Sequence, residues 1–135
     1  MQSVIAVVLG LIVLAQAANV PGGLSSVEDL ESDEVQQAGY KAIREINNAR
    51  NPDTYFRLLS VTEAKTQVVA GRMWHLKITL TATTCTQAEV AEQDDADIDE
   101  TRCPARNANE VESCDLKLWH KLSDEFELKE IRCVL

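Results

Sequence analysis

Gln67-Val68-Val69-Ala70-Gly71 stands at the midpoint of a region that reads as one long β-hairpin, and its reading decides the rest of the chain. These residues are uncharged, end in glycine and include no nucleophile, general base or metal ligand. A convex, pre-shaped turn of this kind suits entry into a cleft better than chemistry, because rigidity removes part of the ordering cost of binding. A glycine at a hairpin tip also has a plain structural reading, since it supplies the backbone dihedrals that the turn needs. The remainder of the chain decides between the two.

Tyr55, Leu59 and Val61 alternate before the tip, and Trp74, Leu76, Ile78 and Leu80 after it, with threonine enriched on the opposite face. Both arms therefore read as strands. Upstream, Val35, Ala38 or Gly39, Ala42, Ile43 and Ile46 recur at helical spacing with charged residues between them, which predicts a helix from 33 to about 49. Asp33 with Gln36 resembles a capping box at its start, and Asn51 and Pro52 end it. Downstream, residues 111–119 and 125–134 form a second strand pair with Leu116, Leu118, Phe126 and Leu128 as apolar members, the connection carrying Trp119 and His120. The pattern is an α+β fold in which one long helix is wrapped by an antiparallel sheet of four strands, or five if a short strand precedes the helix. Its two hairpin tips are free to lie at the same end.

The chain begins with a continuous apolar run from Val4 to Leu14 followed by Ala15, Gln16 and Ala17, so residues 1–17 read as a signal peptide and 18–135 as one domain. A membrane anchor needs about twenty apolar residues, more than this run supplies. The segment from Asn19 to Gly23 holds turn residues without periodicity and reads as extended. Four cysteines, Cys85, Cys103, Cys114 and Cys133, all in the carboxyl-terminal half, are an even count for an oxidising compartment, hence for a secreted protein with two disulfides. Three pairings are open, of which the simplest joins Cys85 to Cys103 and Cys114 to Cys133. Loops of about twenty residues closed in this way would each stabilise the fold by roughly 3 kcal/mol. No short C-x-x-C spacing supports zinc instead.

The formal net charge of −9 opposes nucleic acid or an anionic membrane as the main partner. Much of the excess lies in residues 89–100, where Asp95, Asp97 and Asp99 alternate, but Glu100 and Arg106 stand where a calcium loop needs glycine and glutamate. The stretch reads as a solvated acidic loop. His75 and His120 are the two histidines, and with the cysteines bridged they leave no Cys–His pair and no serine nucleophile motif, which argues against an enzyme and requires no cofactor.

Taken together, the glycine pair at 22 and 23, the single helix, the central QxVxG motif at 67–71, the late Trp119 and the four carboxyl-terminal cysteines resemble a secreted type 2 cystatin, a family of tight, reversible inhibitors of papain-like cysteine proteases such as cathepsins L, B and S. The resemblance implies a three-part inhibitory wedge. Val20 and Pro21 before Gly22 would reach the non-primed subsites, Gln67, Val68, Val69, Ala70 and Gly71 would cover the catalytic cysteine, and Leu118 with Trp119 would contact the primed side. Leu118 stands where the family usually has proline, Pro21 where a bulkier side chain is usual, and the acidic stretch lengthens the first disulfide loop. Some members also inhibit legumain through an asparagine after the helix, a position matched by Asn51, although Arg50 and Pro52 differ from the usual neighbours. The resemblance implies a monomer, with exchange of the first hairpin between two chains as the alternative assembly. The rival function is a cystatin-like extracellular binding protein without inhibitory activity.

Overall fold

The computed structural model describes residues 23–135. The segment read as a signal peptide, and Val20, Pro21 and Gly22, lie outside the described residues. The elements run β1 (Leu24–Ser26), α1 (Asp33–Ala49), β2 (Phe56–Val69), β3 (Gly71–Ala82), a single helical turn α2 (Gln87–Val90), a 3-10 turn (Asp95–Asp97), β4 (Glu112–His120) and β5 (Phe126–Val134). All five strands form one antiparallel sheet in chain order, with α1 packed across its apolar face.

Helix α1 buries Val35, Ala38, Gly39, Ala42, Ile43 and Ile46, the stripe expected from the sequence. Its cap differs from the expected Asp33–Gln36 box. Ser32 is the N-cap, its hydroxyl accepting from the Val35 amide, while the Gln36 side chain donates to the Leu30 carbonyl at 2.7 Å. Serine wins the position because its short hydroxyl reaches a first-turn N–H that would otherwise lack a partner, and Asp33 then lies inside the first turn. Asn47 continues the buried stripe as its one polar member. Its carboxamide donates to Phe56 O and accepts from Phe56 N at 2.9 and 2.8 Å, as a strand neighbour would, and so ties the end of α1 to the start of β2.

Strand β3 buries Trp74, Leu76, Ile78 and Leu80 in strict alternation, against Leu116 and Leu118 of β4. Strand β2 departs from the expected alternation. Its register against β3 slips between Leu58 and Ser60 and again between Val61 and Glu63, so that Leu58, Val61 and Ala64 are buried three residues apart. Leu59, read as a core residue, is exposed because it is the extra residue of the first bulge. Each bulge bends and twists the strand, and two in succession curl β2 around α1.

The cysteines form the simplest pairing, Cys85–Cys103 and Cys114–Cys133. The first closes the acidic stretch, which is ordered rather than a solvated loop. Val90 and Ile98 are buried with Tyr55, Cys85 and Cys103 in a second, smaller core, and α2 carries a complete Thr86–Glu89 capping box. Asp95 is itself buried, accepting from the Tyr55 hydroxyl at 2.8 Å and from Arg44 Nε at 2.9 Å. Burial and the adjoining Asp95 carboxylate hold the Tyr55 phenol far above its ordinary titration range, so it stays a donor.

At Gly39 the helix sits so close to β2 that a Cβ would lie 2.9 Å from Val61 Cγ2 and 3.0 Å from Leu58 Cδ2. Gly39→Ala gains about 1 kcal/mol of helix propensity but meets an overpacking cost of about 1–3 kcal/mol. Urea unfolding is expected to show a net loss for alanine and a larger one for Gly39→Leu; a more stable alanine variant would mean that β2 moves outward freely.

Candidate functional site

Register fixes where the tips lie. Val69 pairs with Gly71 across the first turn, and Arg72 pairs with His120 across β3 and β4, so the turn after His120 lies beside the turn at Ala70. Strand β1 begins with Leu24 opposite Gln67 and therefore starts at that same end of the sheet. Three chain segments thus converge on one edge of the molecule.

The first tip requires its glycine twice over. Gly71 has φ +97°, a conformation costly for any residue with a Cβ, and a Cβ there would overlap the His120 carbonyl oxygen and lie 3.2 Å from Leu122 N. The second tip closes through Asp124 N–H to Lys121 O at 3.0 Å and Lys121 N–H to Glu125 O at 2.8 Å, with Asp124 at φ 69°. Aspartate accepts this left-handed conformation more readily than most side chains. Its carboxylate meets His120 Nε2 at 2.6 Å, and the His120 ring stacks on Phe126 with centroids 4.1 Å apart. The indole N–H of Trp119 donates to Ala70 O at 2.8 Å, linking the two tips directly.

Around this frame the edge presents apolar side chains to solvent: Val68 is 60% and Leu122 83% exposed, and Leu24 and Val69 are also open. Arg72 joins the edge to the first turn of α1 through Glu34 at 3.2 Å, and His75 Nε2 lies 3.2 Å from Gln67 Oε1. The arrangement offers contact area and fixed main chain. His120, beside the second tip, is paired with Asp124 and stacked on Phe126.

Within the site, sequence reading and structure differ at Leu118, Trp119 and His120. Leu118, placed among the contact residues, is fully buried, because alternation in β4 turns Leu116 and Leu118 inward and Trp119 outward. Trp119 and His120 close strand β4 instead of forming the connection, which runs from 121 to 125. The role of Ala70 as an acceptor and the His120–Asp124 pair escaped sequence reading. The spacing of His120 from Asp124 across a short turn was the available signal for the second; a carbonyl acceptor leaves none.

Asn51 lies at the opposite end, exposed, beyond the carboxyl terminus of α1. Its side-chain oxygen accepts from the Asp53 amide at 2.9 Å. Arg50 before it is anchored by a bidentate pair to Glu112 at 2.6 and 3.1 Å.

A family model described as the cystatin domain matches residues 22–96. Cystatin-1 of Crotalus adamanteus is 33% identical over 77% of this chain and 74% of its own length. A cystatin of Pseudonaja textilis is 30% identical over 91% of this chain and 87% of its own. The crystal structure of a salivary cystatin from the soft tick Ornithodoros moubata shares the fold, with a TM-score of 0.66 and 22% identity over 86% of this chain and all of that one.

Two outcomes follow from the site. Gly71→Ala is expected to cost about 1–3 kcal/mol in urea unfolding from the left-handed backbone and the second-tip overlap together; no loss would show that the tips separate without cost. The His75 imidazole titrates below its ordinary 6.5, through burial first and the Lys117 charge second. Between its lowered value and 6.5 the unfolded chain therefore binds more protons than the folded one, so stability falls as pH falls through that window. His75→Gln should flatten this part of the stability–pH curve, and an unchanged curve would assign the acid sensitivity elsewhere.

Proposed function

The chain belongs to the cystatin family, a family of cysteine protease inhibitors, and we propose that it is a secreted, tight-binding, reversible inhibitor of papain-like enzymes of the cathepsin L, B and S type. The observation that carries this reading is the convergence of the two hairpin tips and the start of β1 on one pre-formed apolar edge. On this reading the first tip, 67–71, covers the catalytic cysteine without presenting a peptide in register for cleavage. Trp119 and the second tip occupy the primed side. Val20, Pro21 and Gly22, which precede β1 in the sequence, reach the non-primed subsites. Leu118 is left out of the contact set, since a fully buried side chain has no surface to give.

Binding of this kind involves no covalent step. Its favourable part comes from removing Val68, Val69, Leu122 and the open part of the half-buried Trp119 ring from water, at about 25 cal/mol per Å² of apolar surface. Its unfavourable part is kept low because the tips are held before the encounter, which reduces the ordering cost. Two disulfides fit the oxidising setting in which such an inhibitor would work.

The second reading is inhibition of legumain through Asn51. It is favoured by the exposure of that residue at the end remote from the tips, where both enzymes could bind at once. The disulfide-intact chain from Ala18 should titrate active papain and a cathepsin L-like protease stoichiometrically and reversibly. Deleting residues 18–22 should raise the dissociation rate by about tenfold or more with a smaller change in association. No inhibition by a folded monomer would overturn the main reading, and inhibition of legumain alone, lost in Asn51→Ala, would replace it with the second.

A further inference from the structure

The two hairpin tips share more than a location, and the shared parts have a specific chemistry. Ala70, at the apex of the first turn, has its carbonyl taken by the indole N–H of Trp119 at 2.8 Å. The next residue, Gly71, lies against the main chain of His120, Lys121 and Leu122 so closely that only a hydrogen fits. One tip is therefore bonded to, and packed against, the other. The Trp119 ring is in turn held on its own hairpin by Lys121 and Lys129, whose ammonium groups lie 5.3 and 5.6 Å from the ring centroid. Lys129 is itself placed by Glu127 at 3.2 Å, and Glu127 is the cross-strand partner of Trp119.

These contacts form a chain: β5 and the second turn hold the indole, and the indole holds Ala70. We propose that Trp119 is a positioning residue for the first tip, clamping the Ala70 carbonyl so that residues 67–71 meet a partner already in their bound shape. The proposal rests on the inhibitor reading above for its effect on a protease, but the clamp itself is a property of the free protein. Without the indole, the Ala70 carbonyl would have the freedom of an unpaired turn residue, because sheet pairing ends at Val69 and resumes at Gly71. A single bond at the apex removes that freedom from the unbound state, where it would otherwise be lost on binding. It also makes the two tips one energetic unit, so that damage to either is felt by both.

The test separates the clamp from mere contact area. Trp119→benzothienylalanine replaces the donor N–H by sulfur and keeps the fused ring, and Trp119→Phe serves as a second variant made by ordinary expression. Amide hydrogen exchange from 70 to 72 is measured in the free, disulfide-intact chain, with near-ultraviolet circular dichroism confirming the fold. The clamp predicts exchange faster by roughly fivefold or more in both variants, the size expected for losing one neutral hydrogen bond. Unchanged exchange would overturn it. With papain, a double-mutant cycle between Trp119→Phe and Val68→Ala reads the consequence: losses that fail to add support the clamp, whereas additive losses make Trp119 an independent contact and overturn its positioning role. If the parent chain does not inhibit papain at all, the inhibitor reading fails, and the exchange comparison still decides the clamp.

Discussion

The close seating of helix α1 in the curl of β2 is the constraint on which the rest of the molecule depends. Gly39 is where they meet: with any Cβ there, Val61 and Leu58 would have to move outward. The two bulges of β2 supply the matching concavity by bringing Leu58, Val61 and Ala64 to one face at intervals of three. An unbulged strand would keep a period of two, place Leu59 inward and leave a flatter sheet that could touch α1 along only part of its length. Asn47 adds a directional component to a contact that is otherwise apolar, since its carboxamide pairs with both main-chain groups of Phe56. Helix and strand are thus fixed in register as well as in distance.

That fixed register is transmitted to the far end of the hairpin. Trp74, Leu76, Ile78 and Leu80 lock β3 onto the same core, and β4 follows β3 from Leu80↔Glu112 to Arg72↔His120 without a slip. The two turns therefore project together, at a place decided by the packing of Trp74 to Leu80, four to ten residues from Ala70. The outward face of the sheet makes no demand on this arrangement. Its cross-strand row Glu63, Lys77, Asp115 and Arg132 alternates in sign and pairs along the row at 3.5 to 4.0 Å, which keeps the face soluble without specifying a partner. Exposed pairs of this kind contribute little to stability. The apolar exposure concentrated at the tips is a separate feature of the surface.

What could be read from the sequence follows the same division. The helix stripe and β3 were legible because the helix keeps one period throughout and β3 keeps its own from Trp74 to Leu80, and the central motif with Trp119 marked the edge. The bulges were not, because a bulge is a compromise between strand and partner, and Leu59 looks like any inward leucine until the curvature demanded by α1 is known. Asn47 gave a usable signal, a polar residue at a core position of a helix, but its partner lies nine residues on and is main chain. The inward turn of Leu118 was available from alternation with Leu116; the resemblance to a contact position outweighed it. The clamp on Ala70 could not be read at all, since its acceptor is a carbonyl that every residue possesses.

The acidic stretch shows how composition misleads when order comes from a few residues. Its charge density is that of a solvated segment, yet Val90 and Ile98 give it a core, a disulfide closes it and Asp95 binds it to α1. A buried carboxylate needs donors to replace its water, and Arg44 and Tyr55 are those donors. Both attach near the carboxyl-terminal half of the helix, whereas the tips adjoin its first turn through Glu34 and Arg72. The helix therefore serves two structures at its two ends. Changes in length or charge around 89–100 act first on the small core formed with Tyr55, at the end of the molecule remote from the tips. The acidic first disulfide loop is for this reason compatible with an intact QVVAG edge.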